Sequence, residues 1–169
     1  MSLPALLQDK LRLPLVAAPM FLVSGPELVR ACCVQGIVGS FPALNQRETS
    51  GFRDWLEEIN AGLTPQAAPY AVNLIVHASN NRLADDIKLV VEHQVPVIIT
   101  SLSPPKEVVQ AVHSYGGVVF HDVISRRHAE KAAEQGVDGL IAVCVGAGGH
   151  AGALSPFALL REIREFYQG

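Results

Sequence analysis

One histidine lies among four glycines in the stretch VGAGGHAGAL, which spans residues 145–154. Glycine loses more backbone freedom on folding than any other residue, so such a cluster indicates a turn or a close approach of the backbone to a ligand. The imidazole of His150 titrates near neutral pH and can accept a proton under working conditions. The amides of the neighbouring glycines can approach the edge of a ligand without obstruction. This pattern predicts a functional role for His150.

Four further positions carry chemistry-bearing side chains on predicted strands or just after them. Asn73 stands inside the apolar run YAVNLIV, where either neighbouring backbone or a polar ligand satisfies the buried amide. His121 and Asp122 are neighbours in VVFHDV, so one is expected to face the interior of the fold and the other the helices. Met20 follows the run LPLVAAP, where it either packs or contacts a ligand.

Metal binding and nucleophilic catalysis have weaker support. The six histidines and three cysteines show no H-E-x-x-H or C-x-x-C spacing, so we predict no metal site. No G-x-S-x-G occurs, which argues against a serine nucleophile. The cysteines are expected to be buried thiols of a protein in a reducing compartment.

The composition indicates one packed domain over residues 1–169. Hydrophobic residues make up 49% and charged residues 17% of the chain, the opposite of a disordered composition. The net charge of -3 gives no basic footprint for nucleic acid or an anionic membrane. No apolar run approaches the roughly 20 residues of a membrane-spanning helix. The N-terminus lacks the pattern of a secretory signal. We therefore expect a cytoplasmic protein that binds neither nucleic acid nor membrane.

Short apolar runs alternate with amphipathic stretches along the whole chain and predict the elements that position these residues. The runs are continuous rather than alternating, which is typical of strands buried on both faces of a parallel sheet. They are LPLVAAP from Leu13, IVGSFP from Ile37, YAVNLIV from Tyr70, PVIITSL from Pro96, VVFHDV from Val118 and GLIAVCV from Gly139. In such a fold the candidate residues meet at the carboxyl ends of the strands.

Two α/β folds accept six strand–helix units. An open doubly wound sheet fits the count, but the first turn, AAPMFLVSGPEL, contains no G-x-G-x-x-G. A (β/α)8 barrel needs two more units than the sequence supplies. The residues alone leave both folds open.

Four stretches together resemble the nitronate monooxygenase family, formerly called 2-nitropropane dioxygenases. They are LPLVAAPM, YAVNL, GVVFHDVISRRHAEKAAEQGVDGLIA and GAGGHAG, and the resemblance runs from about residue 11 to the end of the chain. It implies an α/β fold of the (β/α)8 TIM barrel type, of which about six βα units are present here as a truncated barrel. It also implies FMN as cofactor and a small nitronate or nitroalkane, with O2, as substrates.

The resemblance also implies roles for particular residues. The histidine that matches His150 abstracts the α-proton of a nitroalkane or lies against a bound nitronate, and the flavin carries the redox step. A carbonyl compound and nitrite are the products. The residues that match cofactor-binding positions are Ala18, Pro19, Met20, Asn73, His121, Gly148 and Gly149.

The sequence departs from the family pattern in two places, and two other functions stay open. Some members carry a lysine near the cofactor where this chain has Asp122. Loops after strands seven and eight hold the flavin phosphate in such barrels, and neither is present in this sequence, so weak flavin binding is expected. The alternatives are an NAD(P)H-dependent flavin reductase of the enoyl-acyl-carrier-protein reductase type and a non-catalytic half-barrel. Open sheet edges of a half-barrel would favour homo-oligomers.

Overall fold

The protein contains one parallel five-stranded sheet, in a computed structural model that describes residues 3–149 and 152–168. The strands are β1 Ser40–Pro42, β2 Ala71–Val76, β3 Val97–Leu102, β4 Val118–Val123 and β5 Gly139–Ala142. Every neighbouring pair is parallel, so all five carboxyl ends lie at one edge of the sheet. This edge therefore collects the residues that follow the strands.

A helix precedes β1, and a helix follows each of the five strands. The helices are α1 Pro26–Val34, α2 Thr49–Gly62, α3 Leu83–Glu92, α4 Lys106–His113, α5 Arg126–Glu134 and α6 Pro156–Arg164. The predicted serine cap of the last helix is present, since the Ser155 side chain accepts a hydrogen bond from the Ala158 amide. Among the described residues, none of the helices is both long and apolar enough to cross a membrane.

The order of the strands decides between the two predicted folds. Strands lie side by side in chain order, β1-β2-β3-β4-β5. A doubly wound sheet reverses its strand order at a switch point, whereas a (β/α)8 barrel adds each strand beside the previous one. The structure therefore confirms an α/β fold with barrel-type winding.

The first predicted strand, which begins at Leu13, differs from the prediction. It is reduced to one parallel bridge between Val16 and Val38, with hydrogen bonds from the Ala17 amide to the Val38 carbonyl and from the Val38 amide to the Leu15 carbonyl. Pro14 has no N–H to donate, and proline inside an apolar run confines it to the edge of a sheet. The segment therefore lies beside the sheet without forming a full ladder.

The sheet has two different faces. On the helix-facing side, Phe41, Val72, Ile98 and Val119 pack into the main core with the buried residues of the helices. On the other side, here called the inner face, a smaller cluster contains Ala71, Val97, Ile99 and Val118, with Leu7 of a short 3-10 helix packed over it. Side chains alternate between the two faces along a strand. A polar side chain therefore lies on the same face as the residues two positions before and after it in its own strand.

Candidate active site

Three polar side chains form a continuous row across neighbouring strands on the inner face. Asn73 of β2 donates through Nδ2 to the Ser101 Oγ of β3 at 2.9 Å, and Ser101 Oγ donates to Asp122 Oδ2 of β4 at 2.7 Å. The Asn73 Nδ2 also donates to the Ile99 carbonyl at 3.1 Å. We call Asn73, Ser101 and Asp122 the polar row.

Two members of the polar row are buried, so their hydrogen bonds matter. Only 7% of Asn73 and 5% of Ser101 are exposed. The Asn73 amide nitrogen donates to the Ile99 carbonyl and to Ser101, while its Oδ1 accepts no hydrogen bond from the described residues. That oxygen is also not one of the solvent-sealed polar atoms without a partner. Asn73 therefore presents an acceptor to the open side of the sheet.

His121 lies on the opposite face from the polar row. It shares the helix-facing register of Val119 and Val123, is 3% exposed, and its Nδ1 lies 2.8 Å from the Thr100 Oγ1. Burial lowers the pKa of His121 from 6.5 to about 4, so the imidazole is neutral at physiological pH. The predicted contact of His121 with the cofactor stays a prediction; of the two neighbours in VVFHDV, the structure places Asp122 on the inner face and His121 on the helix-facing side.

The segment after the first bridge holds the predicted contacts Ala18, Pro19 and Met20. Its backbone joins β1, because the Ser40 Oγ donates to the Ala17 carbonyl. Ala18 and Met20 are exposed and Pro19 is half-buried, so the structure leaves this segment accessible beside the carboxyl edge. Apolar side chains continue through residues 20–23, all of them exposed.

Asn45 fixes the conformation of that exposed segment. Its Nδ2 donates to the Met20 carbonyl at 3.1 Å and the Ser24 carbonyl at 2.8 Å, while its Oδ1 accepts from the Leu22 amide at 2.9 Å. Leu22 has φ 60, a left-handed conformation that non-glycine residues rarely adopt. The side chain of Asn45, which follows β1, therefore holds the loop of residues 20–24 in place.

The glycine loop after β5 reaches the same edge of the sheet. Gly146 and Gly149 have φ of 88 and 71, which glycine adopts without strain. Gly148 and Gly149 are exposed, and among the residues that the structure describes a Cβ added at either would meet no atom within 4 Å beyond its chain neighbours. The loop therefore leaves open space above its backbone. His150, the predicted catalytic residue, lies outside the described residues.

Within residues 3–149 and 152–168, no group of three or more histidine, cysteine or acidic side chains could hold a metal ion. The two surface grooves lie away from the polar row. One is a groove of about 480 Å³ beside α1 and Gly62, and the other, of about 290 Å³, lies between Val76 and the start of α4. The candidate site is therefore an open face rather than either of these grooves.

Sequence reasoning missed two residues of this arrangement, Ser101 and Asn45. Both stand in stretches at the ends of predicted strands, Ser101 in TSLSPP and Asn45 in SFPALN. The position of Ser101 along its strand could have indicated it. Ser101 lies two residues after Ile99 and four after Val97, so all three side chains are on the inner face. For Asn45 the sequence holds no comparable signal, because its partners are backbone atoms 21 to 25 residues away.

Comparisons with known proteins agree with this fold. The sequence model of the nitronate monooxygenase family matches residues 44–167, which is most of the chain. A curated relative from Mycobacterium tuberculosis, the (3aS,4S,5R,7aS)-5-hydroxy-7a-methyl-1-oxo-octahydro-1H-indene-4-carboxyl-CoA dehydrogenase, is 26% identical over 160 residues, which are 92% of this chain and 42% of the relative. The chain thus spans less than half the length of this relative.

Two solved structures share the architecture. FabK from Thermotoga maritima matches with a TM-score of 0.83 and 23% identity, over 95% of this chain and 49% of that chain. Nitroalkane oxidase from Streptomyces ansochromogenes matches with a TM-score of 0.83 and 20% identity, over 97% of this chain and 59% of that chain. At these identities the likeness shows a shared fold.

Proposed function

Because this chain belongs to the nitronate monooxygenase family, we propose that it works as a flavin-dependent oxidoreductase that uses FMN. Its substrates are alkyl nitronates or nitroalkanes with O2, and its products are a carbonyl compound and nitrite. The polar row carries the proposal: a buried amide offers one free acceptor at the carboxyl edge of a barrel-type sheet. Active sites of this architecture lie at that edge.

The residues at this edge suit a planar, partly apolar ring. Asn73 offers an acceptor to a ring N–H, and exposed Met20 offers an apolar, polarisable surface. Gly148 and Gly149 leave room for close backbone approach. We therefore assign Asn73, Gly148, Gly149 and the segment Ala18, Pro19 and Met20 to the flavin. When bound, the flavin supplies the acceptor for the electrons that the substrate loses.

His150 is the proposed base of the reaction. A neutral imidazole can remove the acidic α-proton of a nitroalkane and hold it, whereas a preformed nitronate has already lost that proton. His121 cannot share this task, since it is buried on the helix-facing side against Thr100. The protein therefore divides its strand-end histidines between packing and chemistry.

A second candidate is an oxidoreductase that acts on an acyl thioester with a nicotinamide cofactor. The curated relative from Mycobacterium tuberculosis is a carboxyl-CoA dehydrogenase, and it matches 92% of this chain. The exposed apolar residues 20–23 would suit a hydrophobic acyl group. A third candidate is a non-catalytic half-barrel that associates with itself.

One anaerobic experiment separates these candidates. The protein is first titrated with FMN, and binding is followed by quenching of flavin fluorescence. We expect a nitronate to bleach the visible flavin absorbance, and admission of O2 to restore it with release of nitrite. Bleaching by NAD(P)H alone would favour the second candidate. A colourless protein that never takes up FMN, and elutes as an oligomer on gel filtration, would contradict the flavoenzyme and support the third.

Cytoplasmic residence belongs to the same proposal. Cys32, Cys33 and Cys144 are all free thiols, which suits a reducing compartment. Burial raises the pKa of Cys33 to about 11, so this thiol stays protonated and inert at physiological pH.

A further inference from the structure

The hydrogen bonds of the polar row can run in only one direction. The Ile99 carbonyl is solely an acceptor, so the amide atom that lies 3.1 Å from it must be the Asn73 nitrogen rather than its oxygen. At the other end, the Asp122 Oδ2 accepts the Ser101 proton, which leaves the Ser101 oxygen to accept from Asn73. Both ends therefore impose the same orientation on the amide.

Ser101 supplies the second of the two acceptors that hold this orientation, and the Ile99 carbonyl supplies the first. Without the Ser101 hydroxyl, one Nδ2 proton of Asn73 has no acceptor in the row, and the Asp122 oxygen loses a donor. A buried amide with an unpaired proton gains by shifting or by recruiting water. The Asn73 amide would then be held by the Ile99 carbonyl alone, and its oxygen would be less firmly oriented towards the ligand.

We propose that Ser101 is a positioning residue: by joining Asn73 to Asp122 it keeps the Asn73 oxygen towards the ligand, so that the site selects a ring edge with an N–H donor. The identity of the ring rests on the proposed function, in which it is the imide edge of the flavin. The hydroxyl of Ser101 forms its hydrogen bonds with the other two members of the row, Asn73 and Asp122.

Paired flavins test this selection directly. FMN carries the imide N–H, and its N3-methylated analogue has a methyl group in place of that hydrogen. We expect the wild-type protein to bind FMN about tenfold more tightly than the analogue, because a buried acceptor left without a donor is costly. In Ser101→Ala the preference should fall to about twofold, since the amide loses one of the two acceptors that hold it. Equal binding of both flavins by the wild-type protein would overturn the proposal.

Thr100→Val is the matched control. Thr100 precedes Ser101 on β3, and the substitution also removes one buried hydroxyl, but from the helix-facing side. It should lower stability while leaving the preference for FMN at about tenfold. Ser101→Thr keeps the hydroxyl and should restore the preference. If Ser101→Ala does not fold, Ser101→Cys replaces it, because a thiol is a weaker donor and acceptor and should likewise reduce the preference.

A second readout does not depend on flavin binding. In the wild-type protein the two side-chain amide protons of Asn73 are both hydrogen-bonded, so NMR should find them slow to exchange with solvent. Ser101→Ala should speed the exchange of one of them at least tenfold, and Thr100→Val should not. Unchanged exchange in Ser101→Ala would refute the positioning role even if flavin binds. Failure of every variant and the wild type to bind flavin would instead refute the proposed function.

Discussion

Two hydrogen-bonded side-chain pairs join β3 to β4 at successive positions, and they face opposite sides of the sheet. Thr100 and His121 meet at 2.8 Å on the helix-facing side, and Ser101 and Asp122 meet at 2.7 Å on the inner face. The first pair is enclosed by the main core. The second continues into Asn73 and ends in an acceptor that no described residue uses. Similar hydrogen-bonded pairs thus serve packing on one face and, in the proposed function, ligand binding on the other, and the alternation of side chains along the strands separates the two.

The largest expected effect comes from the two strand-end histidines. His150→Asn should slow proton abstraction from a neutral nitroalkane by about a thousandfold, because general-base catalysis contributes that order of magnitude. Turnover of a preformed nitronate should fall far less, since its proton is already gone. His121→Asn should leave the ratio of the two rates unchanged. Steady-state rates on both substrates test this, and equal losses in His150→Asn would argue against its role as a base.

The pH dependence of stability should contain a contribution from His121, on the helix-facing side of the sheet. Burial lowers the pKa of His121 from 6.5 to about 4. The unfolded chain therefore binds a proton at this residue from about pH 6.5 downwards, while the folded chain remains neutral there until about pH 4. The free energy of unfolding should fall through this window, by up to about 3 kcal/mol at its lower end.

Urea denaturation between about pH 7 and about pH 4 measures this loss. His121→Leu has no imidazole to protonate, so the slope of its stability against pH should be shallower than that of the wild-type protein. Ser101→Ala should keep the wild-type slope, because His121 is untouched. Parallel slopes for the wild type and His121→Leu would place the titrating group elsewhere.

Two glycines of the loop after β5, Gly148 and Gly152, should respond differently to substitution by alanine. A Cβ at Gly152 would lie 2.1 Å from the Val143 carbonyl oxygen, so Gly152→Ala should cost about 2 kcal/mol of stability. At Gly148 a Cβ meets no atom within 4 Å, so Gly148→Ala should change stability by less than about 0.5 kcal/mol. If Gly148 faces the ring, its variant should nevertheless weaken FMN binding. Thermal unfolding and fluorescence titration of both variants separate the packing glycine from the ligand glycine.

The last prediction concerns the exposed loop at residues 20–23, which Asn45 holds in place. Asn45→Ala removes three hydrogen bonds to backbone and should cost about 1 kcal/mol of stability, because the freed groups of this exposed loop can bind water instead. The segment at residues 20–23 should then become more sensitive to a protease. Asn45→Asp is the control, since its oxygen still accepts from Leu22 but can no longer donate to Met20. Cleavage at the wild-type rate in Asn45→Ala would show that other contacts fix the loop.

The sequence predicted strands well where apolar character was continuous. VVFHDV became β4 without a change of boundary, because residues buried on both sides leave the hydrophobic pattern unambiguous. The run LPLVAAP was equally apolar, but Pro14 and a position at the sheet edge reduced it to one bridge. Apolar character reports burial, whereas ladder formation also needs a donor at every second position.

The candidate site was harder to predict than the fold. Parity could have settled the choice between His121 and Asp122, but only once the register of β4 against β3 was known. That register depends on contacts between residues about 20 positions apart, which a single sequence does not reveal. Asn73 was identifiable because an amide inside an apolar run is costly without a partner. Serine is small and common, so the sequence does not single out Ser101. Only its hydrogen bonds to Asn73 and Asp122 indicate the proposed positioning role.

The sequential arrangement of the strands has a consequence for biosynthesis. Every strand pairs with the one translated just before it, so no long-range closure is needed before the hydrogen bonds of a new strand can form. Each unit emerging from the ribosome meets an already ordered template on which to assemble. The polar row draws only on β2, β3 and β4, so all three of its members precede the glycine loop in chain order.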